Sequence, residues 1–258
     1  MANRRPLAEG ELVLLRRREG DAFLVSLRSG PQALEGRGVV DLAPLVGQAP
    51  GAVLEWAGAR YRAFRPSLAD LIGALRRRAQ IVTPKDAHYL LYLAGVGPGA
   101  TVVEAGAGSG AMTTVLAFAV GPTGRVVTYD RRAEFLAVAR TNVAGAGLGD
   151  RVDFRVRDVV TDGLDASDVD AVVLDLPEPW GVVAAAKRAL VAGGCIATYT
   201  PTYNQLERTV RELRAQGFED VRSVELLERS LHVGEGGTRP EFDMLGHTGF
   251  LTGARKVD

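Results

Sequence analysis

The 258-residue chain has one cysteine, three histidines and only three lysines. With a single thiol no disulfide can close within the chain, and Cys195, set in the apolar run Cys195-Ile196-Ala197, reads as a small buried side chain. No cluster of cysteine, histidine and aspartate has metal-ligand spacing, so no metal is expected. No uninterrupted apolar run is long enough to span a bilayer, and none precedes a cleavage-like site near the start, which points to a cytoplasmic protein without a membrane partner. Net charge is missing too, because 31 basic and 31 acidic residues cancel. Only the distribution of charge can then speak for an anionic partner.

That distribution is uneven. Residues 1–79 carry 13 arginines against 8 acids, a balance of about +5, and the remainder carries the opposite excess. A basic front section implies either an anionic partner or a plain preference for arginine over lysine. Within residues 6–65, short apolar runs alternate with turn signals: Leu12–Leu15, Phe23–Leu27, Val39-Val40, Val53–Trp56 and Tyr61–Phe64. This predicts a small β-rich domain over 1–65, serving substrate binding or oligomerisation. A larger domain over 66–258 follows. It opens with a helical pattern from Ser67 through Leu75 that ends in Arg76-Arg77-Arg78, either a solvated helix end or a phosphate contact. Thr83-Pro84-Lys85-Asp86 then starts a helix whose buried face is expected at Leu90, Leu91 and Leu93.

The stretch Thr101–Leu116, TVVEAGAGSGAMTTVL, reads as strand, tight loop and helix. Gly106, Gly108 and Gly110 allow close backbone approach to a ligand and leave amide groups aimed at it from the helix start. The spacing Gly106-x-Gly108-x-x-Ala111 also fits a dinucleotide site. Glu104, just ahead of the loop, argues for a different ligand. A carboxylate there repels a pyrophosphate and suits a cationic end such as the ammonium and sulfonium of S-adenosylmethionine.

Beyond the loop, strands and helices alternate: strands at Val126–Tyr129, Val152–Val156, Ala171–Leu174 and Cys195–Tyr199, helices at Glu134–Gly145, Val182–Leu190 and 204–216, with Gly193-Gly194 as a turn. Ser223–Leu227 and Gly249–Ala254 can supply the last strands. The pattern predicts a doubly wound α/β sheet, whose ligands sit at the carboxyl ends of the strands. Asp130, Asp158, Asp175 and Tyr199 all fall at such ends. Asp130 lies 24 residues after Gly106 and is placed for ribose hydroxyls, while Asp158 is placed for an adenine amino group.

After the fourth strand comes Asp175-Leu176-Pro177-Glu178-Pro179-Trp180. Its two prolines remove backbone donors and should prevent a helix, leaving a rigid wall of free carbonyl acceptors. The segment resembles the Asp-Pro-Pro-aromatic segment of methyltransferases that act on nitrogen in planar bases. Trp180 either stacks a base or packs on the core. His247, in Gly-His-Thr-Gly, either meets phosphate or ties a turn to the sheet, and the second is favoured; His88 and His232 read as ordinary helix and loop residues.

Taken together, AQIVTPKDA, EAGAGSGAMT, TYD, DLPEPW, ATYTPTYNQ and RPEFDMLGHTGFL resemble the tRNA adenine-N1 methyltransferases that modify adenine-58 of the T-loop, from about residue 65 to the C-terminus. The resemblance implies a class I, Rossmann-like methyltransferase domain behind a small N-terminal β domain, S-adenosylmethionine as cofactor, tRNA as partner and a homotetramer. It implies cofactor binding by Gln80, by Glu104, by the loop residues Gly106, Ala107, Gly108, Ser109, Gly110, Ala111 and Met112, and by Asp130, Asp158, Val159 and Asp175. It gives catalytic roles to Asp175 and Tyr199, against which the target adenine lies. Two departures stand out: Thr83 occupies the place where bacterial relatives tend to have tyrosine, and Asp130 replaces the more usual glutamate.

Three rivals share part of this pattern. A class I methyltransferase acting on another RNA, a protein or a small molecule would keep the glycine loop but has no need of the Asp-x-Pro wall. A nicotinamide dehydrogenase would leave Glu104 and residues 175–180 without a role. A non-catalytic RNA-binding subunit would have no use for Glu104, Asp130 and Asp175 together. Adenine-57 remains open as an additional target.

Overall fold

The computed structural model describes residues 5–76 and 80–258. By its internal packing the chain divides into two compact units, residues 1–75 and 76–258. The helix at the end of the first unit, α1 (Leu68–Gly73), is shorter than its apolar spacing predicts. Ser67 and Asp70 close a reciprocal capping box at its start, and the chain leaves the helix at Ala74. The expected arginine run falls beyond it. Arg77 and Arg78 lie outside the described residues, and the backbone of Arg76 is held on both sides by the Asn142 side chain.

The first unit is built on an antiparallel sheet in the order β2 (Ala22–Ser26), β1 (Leu12–Arg16), β6 (Ala59–Phe64), β5 (Val53–Trp56). A ribbon of β3 (Pro31–Leu34) and β4 (Gly38–Asp41) accompanies it; the sequence showed only its second strand. Leu7, Val13, Leu15, Val25, Leu27, Val40, Leu42 and Leu45 make a core of their own. Glu11 is pinned by the Arg65 guanidinium at 2.5 Å, which joins the first strand to the end of the sixth.

The second unit holds a seven-stranded sheet in the order β12-β15-β11-β10-β7-β8-β9. The strands are β7 (Thr101–Ala105), β8 (Arg125–Asp130), β9 (Val152–Val156), β10 (Val169–Leu174), β11 (Leu190–Thr200), β12 (Glu219–Glu225) and β15 (Phe250–Arg255). β7 to β11 pair in parallel, and β15 runs antiparallel between β11 and β12. Val102, Val103, Val126, Val172 and Val173 are buried on both faces of the central strands, as a helix-covered parallel sheet requires. The chain proceeds outward from β7 to β9, then returns to β7's other side with β10. The switch point lies between β7 and β10, and their carboxyl ends are where a crevice opens.

The covering helices are α2 (Pro84–Ala94), α3 (Ala111–Val120), α4 (Ala133–Gly145), the single turn α5 (Val159–Asp162), α6 (Val183–Ala189) and α7 (Tyr203–Ala215). Helix α2 buries Asp86, Ala87, Leu90 and Ala94, with Leu91 and Leu93 only half-buried. Its inner face therefore starts at an acid rather than at leucine.

Three expectations are corrected here. Gly193-Gly194 is not a turn: β11 already begins at Leu190, and the pair is an irregularity inside the strand. Gly193 donates to the Lys256 carbonyl and Lys256 to that of Gly194, so hydrogen bonding beside β15 continues through the irregularity. Cys195 is half-buried instead of fully enclosed. His232 is a strand residue, in a hairpin of β13 (Leu231–Gly234) and β14 (Gly237–Pro240) that the sequence did not reveal. Among the described residues no helix is long and apolar enough to cross a membrane, and no group of side chains could hold a metal ion.

Candidate active site

The carboxyl ends of β7, β8 and β10 surround a cavity of about 570 Å³ lined by Gly106, Asp130, Asp158, Val159 and Asp175, all anticipated, and by Arg131, Arg157, Thr161 and Glu178, which were not. A second cavity of about 360 Å³ is lined by Gln80, Val82, Asp175, Pro177, Tyr199, Pro201, Gln205 and Thr248. Asp175 belongs to both. The residues Glu104, Ala107, Gly108, Ser109, Gly110, Ala111 and Met112 line neither.

The glycine loop is held by its own backbone. The amides of Gly106 and Ala107 both donate to the Tyr129 carbonyl, Gly108 donates to Asp130 Oδ2 at 3.1 Å, and Gly110 donates to the Ala107 carbonyl. Those four donors are spent internally. At Gly106, with φ +98°, a Cβ would sit 2.0 Å from the Asp175 carbonyl oxygen. Only glycine allows the loop to pass so close to the end of β10.

Glu104 is 1% exposed and points among the strands and α3. Its Oε2 accepts from the hydroxyls of Thr113 and Thr128, at 2.6 Å each, and among the described residues Oε1 has no partner. Burial pushes its pKa up to about 7, with the two threonine hydrogen bonds opposing and the Asp175 and Asp130 charges adding. An unsatisfied buried carboxylate oxygen on a side chain that feels the charges of Asp175 and Asp130 is a group awaiting a donor or a positive charge.

Asp130 accepts from the Gly108 and Arg132 amides and is 6% exposed. Asp158 caps α5 by accepting from the Val160 amide at 3.1 Å, which leaves its second oxygen, 3.8 Å from Arg131, toward the cavity. Asp175 has no hydrogen-bond donor to its carboxylate among the described residues. Desolvation and the neighbouring Asp130 charge raise its pKa to about 6. Asp130, Asp158, Asp175 and Glu178 line the first cavity together with Arg131, Arg132 and Arg157, of which Arg131 pairs with Asp158 and Arg132 with Asp130. That set suits a ligand with hydroxyls, an amino group and a positive centre, and fits S-adenosylmethionine.

The segment after Asp175 differs from its expected form. Pro179 occupies the first turn of a short 3-10 helix, Pro179–Val182, where its missing N–H costs nothing. The Pro177 carbonyl is also not free, because Gln205 Nε2 donates to it at 2.9 Å. Trp180 is covered by the Arg208 guanidinium, 4.3 Å above the ring. Tyr199, 9% exposed, donates its hydroxyl to the Thr248 carbonyl, and its ring fills the place a side chain at Gly249 would need. Burial, together with the charges of Asp86 and Asp175, raises its pKa to about 12. His247 is the tie it was expected to be: Nδ1 lies 2.6 Å from Glu225 and Nε2 lies 2.7 Å from the Pro201 carbonyl.

Sequence reasoning missed Lys85, Asp86, Thr248 and Gln205 at this site. Asp86 is fully buried, accepting from Thr83 Oγ1 at 2.8 Å and from Lys85 Nζ at 2.7 Å, and Lys85 also reaches Thr248 Oγ1 at 2.7 Å. The available signal is the acid directly after Pro-Lys at a helix start.

Residues 66–236 match the family described as tRNA methyltransferase complex GCD14 subunit. The chain is 40% identical over 223 residues to the tRNA (adenine(57)-N(1)/adenine(58)-N(1))-methyltransferase of Methanocaldococcus jannaschii, covering 77% of this chain and 79% of that one. It is 34% identical over 245 residues to the tRNA (adenine(58)-N(1))-methyltransferase of Thermus thermophilus, with 95% and 96% covered. A solved structure described as an S-adenosylmethionine-dependent O-methyltransferase from Thermotoga maritima superposes with a TM-score of 0.79 at 35% identity, over 98% of this chain and 96% of that one. With a class I sheet, a glycine loop at its switch point and an acid shared by two adjoining cavities, this chain belongs to the tRNA (adenine-N1)-methyltransferase family and is an S-adenosylmethionine-dependent methyltransferase.

Proposed function

We propose that the protein transfers a methyl group from S-adenosylmethionine to N1 of adenine-58 in the tRNA T-loop, working in the cytoplasm as a homotetramer. The observation that carries this reading is Asp175, which lines both cavities and whose carboxylate, among the described residues, has no hydrogen-bond donor. One cavity is then the cofactor site and the other the base site, with the reacting atoms meeting at the residue they share.

When bound, S-adenosylmethionine supplies an electrophilic methyl on a sulfonium. Asp130 and Asp158 would hold it through its hydroxyl and amino donors, with Val159 beside them on the cavity wall, and Glu104 would add negative charge near Asp130 and Asp175. Methylation at N1 turns a neutral base into a cation. Asp175 accepts from the exocyclic amino group, stabilises that developing charge and can then take the proton. Removing one such preorganised group costs on the order of 100- to 1,000-fold in rate. The target must leave its stack to reach a cavity at the sheet's edge, at a cost of a few kcal/mol. The arginine excess of residues 1–79 is suited to offset that by phosphate attraction.

The deciding experiment follows labelled methyl into an unmodified tRNA transcript, beside a transcript with adenine-58 replaced. Label in the first alone is expected, and Asp175→Asn should remove on the order of 99% or more of the rate. Nuclease digestion of the labelled transcript tests a second reading. The relative from Methanocaldococcus is named for adenine-57 as well, and label at that position would extend the reaction to it. Label on an oxygen, as the Thermotoga structure's description would have it, would overturn the base assignment.

A further inference from the structure

Beneath the second cavity lies a charged unit that neither ligand would need to touch. Asp86, at the third position of α2, is 0% exposed, and its partner Lys85 is 14% exposed at the side chain. A buried ion pair is poor value as a stabiliser, because desolvating both charges offsets most of their attraction. This one has a directed connection instead. Lys85 Nζ bridges Asp86 Oδ1 and Thr248 Oγ1, and the Thr248 carbonyl takes the Tyr199 hydroxyl proton. Thr83 completes the set by donating to the other Asp86 oxygen. The segment running into the same helix carries Gln80 and Val82, on the cavity wall.

The chemical consequence concerns what Tyr199 can offer. Its one proton is committed to Thr248, so toward the cavity the phenol oxygen presents lone pairs only. Asp175, as a carboxylate, likewise only accepts. Resting on the base-site reading above, we propose that Lys85 and Asp86, acting through Thr248, are positioning residues that hold Tyr199 as an acceptor, so that Tyr199 and Asp175 together select a base bearing an exocyclic amino group. An amino group has two protons for two acceptors, and the ring nitrogen beside it remains bare for methylation. A base with a carbonyl at that place would set lone pairs against lone pairs and leave buried polar atoms unpaired.

The test compares tRNA carrying adenosine at position 58 with tRNA carrying purine riboside there, which keeps N1 and lacks the amino group. In the wild type, kcat/KM should favour adenosine by on the order of 10- to 100-fold. In Lys85→Met and in Thr248→Val that preference should shrink about tenfold, whereas a general loss of packing would lower both substrates alike. In a Tyr199→Phe background Lys85→Met should have no further effect on the preference. An undiminished preference in variants that still melt cooperatively, or equal losses added to Tyr199→Phe, would overturn the proposal. A crystal structure of Lys85→Met gives a reading that needs no activity: Tyr199 should leave the Thr248 carbonyl, and finding it still there would overturn the proposal too. A wild type that methylates no tRNA would sink the base-site reading and with it the selection step, while the crystal would still decide whether Lys85 holds Tyr199.

Discussion

Glu104 shows how far a single residue's environment departs from what its letter implies. As an acid before a glycine loop it reads as a ligand group. In the fold it is enclosed, with one oxygen satisfied twice and the other, among the described residues, not at all. Its raised pKa sets the sign of a stability effect. The proton is held more tightly in the folded chain than in the unfolded one, so this contribution is full below about pH 4.5 and is lost as pH rises through about 7. Glu104→Gln should therefore melt higher than wild type at pH 8, by on the order of 1 kcal/mol or more, with little difference at pH 4.5. Calorimetry at the two pH values without cofactor checks this, and equal shifts at both would refute it. The acids at strand ends were legible because a parallel sheet places such positions at one edge whatever their neighbours do. Asp86 was not, since an acid in a first helical turn usually faces water and complements the helix dipole. What buries it is tertiary: β11 and β15 pack against α2.

At the scale of elements, the loops entering and leaving the sheet do most of the positioning. His247 clamps the segment before β15 to the end of β12 through Glu225 and to Pro201 beyond β11. Both ring nitrogens face acceptors, so both should donate and the ring should carry a proton. The Glu225 carboxylate, followed by the Pro201 carbonyl, raises its pKa above 6.5. The clamp's stabilisation is then complete below 6.5 and fades as pH rises through the raised value. An NMR titration of His247 should show a midpoint above 6.5 that falls in Glu225→Gln; a midpoint unmoved by that change would sever the link. Most elements of the second unit were readable from apolar runs and turn residues, because buried parallel strands are continuous and short. The hairpin β13–β14 was not, and the reason is physical. Leu231 and Val233 are 63% and 75% exposed, and no alternation marks a face because neither face is buried within this chain.

On the scale of the whole molecule, each unit has its own core, one around Leu15 and Leu27 and the other around Val103, Val172 and Ile196. The residues of both proposed ligand cavities come from 76–258 alone. Removing residues 1–75 should leave a cooperatively folding chain that binds S-adenosylmethionine as before, with tRNA affinity reduced on the order of tenfold at physiological salt and a shallower salt dependence. Filter binding over a salt series checks this, and an unchanged slope would remove the arginine-rich section from the substrate interface.

The near-contact at Gly106 bears on how this enzyme can change. The end of β7 and the end of β10 are joined main chain to main chain, through the Asp175 amide on the Ala105 carbonyl at 2.9 Å and through the space that only glycine leaves beside the Asp175 carbonyl. The junction of the two strands from which Asp175 projects into both cavities is thereby fixed by the backbone. Replacing side chains on the cavity walls leaves that main-chain junction in place, whereas any side chain at Gly106 would force the two strand ends apart.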